Sequence, residues 1–202
     1  MSSQAGLRNS KPYIYINTWF LIVLGVLLFK GGTIALCAII AAILHECGHI
    51  ALLYINKGRI TRVNAGIKGI QLISTGMQTK STWKNALIIL AGCAVNAILA
   101  VCFMFCSDIR LYVFSCANAI LCLINLLPHS SFDGGRLLSL LTEGHRNAER
   151  ICKTADITVL LIVLSAGIAV FYYSKYNPTA LLLGLCLISK LPKARRKISK
   201  KS

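Results

Sequence analysis

Long apolar blocks alternate with short basic stretches along this chain. Blocks of about 17 residues or more are long enough to cross hydrocarbon as helices. Six candidates result, at 13–29, 33–55, 83–105, 111–127, 157–173 and, below that length, 179–188. The sixth is the shortest, and the basic run SKLPKARRKISKK beside it suits a membrane interface. Between the second and third blocks, GRITRVNAGIKGIQLISTG places Gly58, Gly66, Gly69 and Gly76 around short β-prone runs. That pattern predicts a small β-hairpin or re-entrant loop, whose open edge could pair with an extended peptide. The plain alternative is a flexible loop that only carries charge. The fold class predicted is an all-α polytopic membrane protein of about six transmembrane helices. One membrane domain would cover 1–190, and 191–202 would form a basic tail against anionic lipid.

Composition agrees. The chain has 202 residues and is 56% hydrophobic, with a mean hydropathy of +0.69. Soluble chains average about 45–50% apolar. A net charge of +16 would suit a nucleic-acid binder, but the basic residues fall between apolar blocks and form no soluble face. That excludes nucleic acid as a partner. The N-terminus, the second inter-block segment through Lys84, the fourth and the C-terminal tail hold 2, 6, 4 and 7 Lys or Arg, and the other three inter-block segments 1 each. Such alternation places both termini in the cytoplasm of a multi-pass protein, with a bacterial cell membrane as the expected location. The first block has no small-x-small cleavage site and reads as an anchor. The 9 cysteines include no C-x-x-C pair, so packing is their expected role. No internal repeat is visible.

One block carries polar groups where lipid is expected. AILHECGHIALLYI, residues 42–55, holds His45, Glu46 and His49 inside the second span. On a helix His45 and His49 lie one turn apart, about 40° from each other around the axis. Both imidazoles can therefore reach one metal ion. Glu46 lies about 100° from His45, off the ligand line but within reach of a water there. This is the H-E-x-x-H arrangement of two ligands and a general base. Zinc (Zn2+) suits it, since it lowers the pKa of bound water to about 7. Charged side chains at a helix centre cost about 2.5–3.5 kcal/mol each on insertion scales, so they are rarely kept without a function. Cys47, about 200° from His45, faces away. Gly48 leaves room for a neighbouring helix or a substrate.

Catalytic zinc usually takes three protein ligands. The remaining candidates are Asp108, Asp133, Glu143, Glu149, Asp156, His129 and His145. By the span assignment, Asp108 falls in an outer loop, while Glu143, His145, Glu149 and Asp156 lie in or beside a basic cytoplasmic loop. Asp133 follows the fourth span in INLLPHSSFDGGRLL. There Pro128 stops the helix, and Gly134 and Gly135 permit a sharp reversal. The fourth span runs inward and would deliver Asp133 to the side where the second span leaves its histidines. Irregular backbone at that depth is allowed where it lines a watery cavity. His129 is the alternative ligand, and an ordinary Asp-Gly turn outside the lipid is the plain alternative.

The chain resembles the site-2 protease family of intramembrane zinc metalloproteases. HECGH (His45 to His49) matches that family's H-E-x-x-H, and NLLPHSSFDG (Asn125 to Gly134) matches its N-x-x-P-x(4)-D-G. AGCAVNAILA is a softer match to its G-P-x-x-N, with Gly92 and Asn96 kept and Cys93 where proline is usual. The resemblance implies zinc on His45, His49 and Asp133, with Glu46 activating water. It implies that Asn125 lies near the cleft and holds the substrate backbone or the tetrahedral intermediate; capping the helix broken at Pro128 is the plain alternative. Asn96 is expected to make an interhelical hydrogen bond. Six spans and a cytoplasm-facing site look most like the sporulation branch, which processes a sigma-factor precursor. Many members of that branch carry a C-terminal CBS domain, and this chain ends about a dozen residues after the sixth span.

The function expected is therefore an intramembrane zinc endopeptidase acting on a membrane-bound or membrane-associated protein near the cytoplasmic face. Its partners would be that protein substrate, the lipid bilayer, and any membrane-embedded regulators that gate the site. The alternative is a metal-ion transporter using the same His and Asp cluster, and a catalytically dead metal-binding scaffold is a third reading. Glu46 argues against the scaffold, which has no need of it.

Overall fold

The computed structural model describes the backbone at residues 13–16, 18–56, 59–66, 69–75 and 81–173, and the side chains at 31–56 and 81–173. The elements run β1 (Tyr13–Ile16), α1 (Thr18–Ile55), β2 (Arg59–Gly66), β3 (Gly69–Thr75), α2 (Thr82–Phe103), α3 (Ile109–Leu126), α4 (Asp133–Leu141) and α5 (Ala148–Tyr173). Two compact units divide inside α3, after Cys122. Among the described residues, 4 helices are long and apolar enough to cross a membrane: Gly31–Ile55, Thr82–Phe103, Ile109–Leu126 and Ala148–Tyr173. These correspond to the second through fifth expected spans. The expected sixth span and the tail at 191–202 lie outside the described residues.

The first expected span is corrected at its start. Tyr13–Ile16 is a strand, and the helix begins at Thr18. The alternating aromatic and β-branched residues of YIYI favour a pleated strand, and β1 finds a parallel partner in β2, from Tyr13↔Arg62 to Ile16↔Ala65. The 38 residues of α1 are two helical stretches joined at Gly32, where φ is 50° and ψ is −135°. Glycine reaches that conformation without a Cβ clash. The segment between α1 and α2 carries β2 and β3, antiparallel from Arg59↔Thr75 to Gly66↔Gly69, with an irregularity between Ile60 and Arg62.

In the first unit the helices approach through small and polar residues. Ala35, Ala41, Ala86, Ala91, Asn96, Ser115 and Asn118 are buried, while Ile98, Val101 and Ile120 are exposed. Leu53, Ile88 and Ile89 are buried with them, but the many large apolar residues left exposed are the reverse of a water-soluble bundle's surface. Lipid is as apolar as leucine, so helix association there depends on close packing and hydrogen bonds. Ser115 Oγ on α3 donates to the Ala100 carbonyl of α2 at 2.6 Å, and Cys122 Sγ donates to the Cys93 carbonyl at 3.4 Å.

In the second unit α3 ends at Leu126, two residues before Pro128, whose ring cannot continue a helix. Tight backbone bonds then fold the connection. His129 N–H donates to Leu127 O at 2.8 Å, and Phe132 N–H to His129 O at 2.8 Å. The expected reversal at Gly134 and Gly135 does not occur, because both lie in the first turn of α4. Their lack of a side chain serves another end. A Cβ at Gly134 would strike the Leu126 and Leu127 carbonyls, and one at Gly135 the His129 carbonyl. The turn therefore folds back onto the helix it precedes. A second correction concerns α5, which starts at Ala148 rather than at 157. Asp156 thus lies inside this apolar helix, and it is buried.

Candidate metal centre

His45 and His49 meet as helical spacing requires. Their Nε2 atoms are 3.1 Å apart, with ring centroids 4.7 Å apart and planes at 84°. Two nitrogens each about 2.05 Å from a tetrahedral ion would lie about 3.3 Å apart. The pair therefore fits zinc with little adjustment. Each ring is also held from behind. His49 Nδ1 lies 2.8 Å from the Ile88 carbonyl. A carbonyl can only accept, so Nδ1 carries the proton and Nε2 keeps its lone pair. His45 Nδ1 lies 3.2 Å from Nδ2 of Asn96, the interhelical bond expected of that asparagine.

The approach of α2 to this pair depends on two glycines. A Cβ at Gly92 would sit 2.5 Å from His49 Nε2 and 2.8 Å from His45 Nε2. A Cβ at Gly48 would sit 2.8 Å from the Ala91 carbonyl and 2.9 Å from Val95 Cγ2. Gly48 thus lets α2 come close to α1, and Gly92 leaves the space beside the facing nitrogens open. Glu46 is half-buried and Cys47 exposed, as their angles around the helix predict.

Asp133 opens α4 and is buried. A carboxylate in the first turn faces unpaired backbone N–H groups and the positive end of the helix dipole. Its Oδ1 accepts from Arg136 Nη1 at 3.3 Å. The loop before it is tied to α5, where Asp156 Oδ1 accepts from Ser130 N–H at 2.7 Å. His129 is fully buried and turned into its own loop, with Nδ1 accepting from Ser131 N–H at 3.2 Å. With Nδ1 accepting, the neutral ring carries its proton on Nε2, which weakens the case for His129 as the alternative ligand. Asn125 is half-buried, one residue before the end of α3.

Sequence reasoning missed three contributors. Ile88 acts through its backbone carbonyl, which no side chain announces. Gly92 matched a motif, but its place beside the histidines is set by how α2 packs. Asp156 falls in or beside a loop by hydropathy because the apolar window begins after it, although an aspartate bordering an apolar run is a usable signal.

No family profile and no curated protein matches the chain. Among solved structures, the Site-2 Protease from Methanocaldococcus jannaschii is similar, with a TM-score of 0.57 and 22% identity over 84% of this chain and 82% of that chain. At that identity the likeness is one of fold.

Proposed function

We propose that this chain is an intramembrane zinc endopeptidase in which His45, His49 and Asp133 hold the metal and Glu46 is the general base. The observation that carries the reading is the pair of imidazole nitrogens 3.1 Å apart, one residue from a carboxylate on the same apolar helix. The fold shared with a Site-2 protease supports the same assignment. Each of the three ligands offers one donor atom, an imidazole nitrogen from each histidine and a carboxylate oxygen from Asp133. This donor set suits catalytic zinc.

When bound, zinc would polarise the scissile carbonyl and acidify the attacking water. The Glu46 carboxylate takes the proton from that water and returns it to the leaving amide nitrogen. Asn125, at the end of α3, is proposed to hold the substrate backbone in the cleft. The substrate must enter extended, since a helical peptide bond is shielded by its own turn. The edge of β3 offers backbone groups for such a strand.

The finer reading places the protein in a bacterial cell membrane with six spans, both termini cytoplasmic, and a sigma-factor precursor as substrate. Its support is the Lys and Arg asymmetry along the sequence and the resemblance to the sporulation branch.

Glu46→Gln, in the full chain reconstituted with a membrane-anchored substrate, tests the proposal. Cleavage should fall by about 10²–10⁴-fold while bound zinc is retained. A metal transporter would use the same ligands but has no need of Glu46. Ion flux that follows protein insertion and survives the substitution would replace the protease reading.

A further inference from the structure

The sequence suggested nothing for Asn96 beyond joining two helices, yet it is fully buried and the atom it meets is His45 Nδ1. Only one side of its amide is engaged. The oxygen Oδ1 has no hydrogen-bond partner among the described residues. As placed, Nδ2–H donates to His45 Nδ1. That ring then carries its proton on Nε2, directed at the bare Nε2 of His49 3.1 Å away. A proton on that atom blocks ligation.

A neutral imidazole that binds metal through Nε2 carries its proton on Nδ1 and needs an acceptor there. His49 has one in the Ile88 carbonyl. For His45 the group in that place is Asn96, and an amide can present either face, because half a turn about its last bond exchanges oxygen and nitrogen at almost unchanged shape. The rotation moves the unpartnered atom from oxygen to nitrogen and keeps one Asn96–His45 hydrogen bond, but it gives up the bond between the two Nε2 atoms. Without metal, hydrogen bonding therefore favours the face as placed. A metal ion, which needs the lone pairs of both Nε2 atoms, favours the other.

We infer that Asn96 is a positioning residue for the metal centre, accepting the His45 Nδ1 proton through its amide oxygen and so fixing the tautomer that binds metal. This rests on His45 being a metal ligand. The amide oxygen plays for His45 the part that the Ile88 carbonyl plays for His49.

The test compares metal binding by the purified full chain in nanodiscs. Co2+ is the probe, followed by its visible absorption, with Zn2+ in competition. Asn96→Leu should weaken Co2+ binding by about 10–100-fold, the usual cost of losing an outer hydrogen bond to a ligating histidine. Asn96→Asp can accept but not donate when ionised, and should bind at least as tightly as the wild type. If the amide nitrogen donated to a loaded His45, Asn96→Asp would be as weak as Asn96→Leu. That result overturns the inference, as does an unchanged affinity in Asn96→Leu. Should Asn96→Leu not fold, Asn96→Ala takes its place. Asn118→Leu is the control, since Asn118 is equally buried and its Nδ2 donates to Phe114 O within its own helix. An equal loss there would mark a packing effect and overturn the inference. A wild type that binds no Co2+ removes the metal reading itself, whereas tight wild-type binding indifferent to residue 96 removes only this inference.

Discussion

The two regions that carry the proposed ligands are built differently. His45 and His49 stand on one long helix, so their spacing is set by helical geometry, and their rings are held by the Ile88 carbonyl and Asn96 on a second helix. Asp133 stands at the start of a helix of 9 residues that follows an irregular turn. Its place depends on backbone bonds in that turn, on two glycines and on Asp156 across the second unit. The first part is fixed by regular structure. The second is fixed by several specific contacts, each of which can be removed singly. Substitutions around the histidines should therefore act on the metal first, and substitutions around Asp133 on local structure first.

The strongest test of that contrast uses the two glycines of the histidine region. A Cβ at Gly92 points at the facing nitrogens of His45 and His49, so if these bind metal as proposed, Gly92→Ala should lower metal affinity by more than ~100-fold, beyond the usual cost of an outer-shell loss. Gly48→Ala instead crowds the Ala91 carbonyl, an overpacking that costs about 1–3 kcal/mol. It should lower thermal stability while metal affinity falls much less. Metal titration beside thermal unfolding in nanodiscs separates them, and equal effects on both measures would show that the histidine pair has no privileged rigidity.

Around Asp133 the larger effect is expected at Gly134. Its Cβ would strike carbonyls of the preceding turn, and backbone gives way less easily than side chains. Gly134→Ala should cost ~3 kcal/mol or more, the upper end of overpacking, read as a fall in unfolding temperature. Asp156→Leu comes next. It removes a charged acceptor from Ser130 N–H, an interaction worth about 1.5–3 kcal/mol, and should loosen the turn and lower cleavage activity. Asp156→Asn keeps an acceptor oxygen and should recover most of the loss. If Asp156→Asn proves as harmful as Asp156→Leu, the charge matters rather than the bond, and the turn is not what Asp156 holds.

The same contrast explains what could be read from the sequence. The approach of His45 to His49 was legible because the helix period converts spacing directly into direction. Four spans were legible because blocks of apolar residues have few other uses. The strand at Tyr13–Ile16 was hidden, since its apolar residues also fit a helix and its partner β2 lies more than forty positions away. The start of α5 was hidden because a hydropathy window stops where charges begin, whereas the helix extends past them to Ala148. The conformational freedom of Gly134 and Gly135 predicts a turn there. Their use is the space a missing Cβ leaves, and only the folded turn reveals that.

The smallest expected effect is at Arg136. Its guanidinium reaches Asp133 Oδ1 at 3.3 Å, with the arginine side chain 52% exposed and the aspartate side chain 7%. The solvent-facing partner makes this close to a surface ion pair, for which about 0–1 kcal/mol is usual. The helix start already favours a carboxylate at position 133 without help from arginine. Arg136→Gln should therefore shift the unfolding temperature by less than ~4 °C and leave Co2+ affinity within about threefold, or less than 1 kcal/mol. A collapse of metal binding would make the guanidinium the anchor that orients Asp133, and the region would then depend on an ion pair rather than on its turn. A gain above about tenfold, or 1.4 kcal/mol, would mean that the arginine competes with the metal for the same oxygen. No change leaves the turn, its glycines and Asp156 as what holds the aspartate in place.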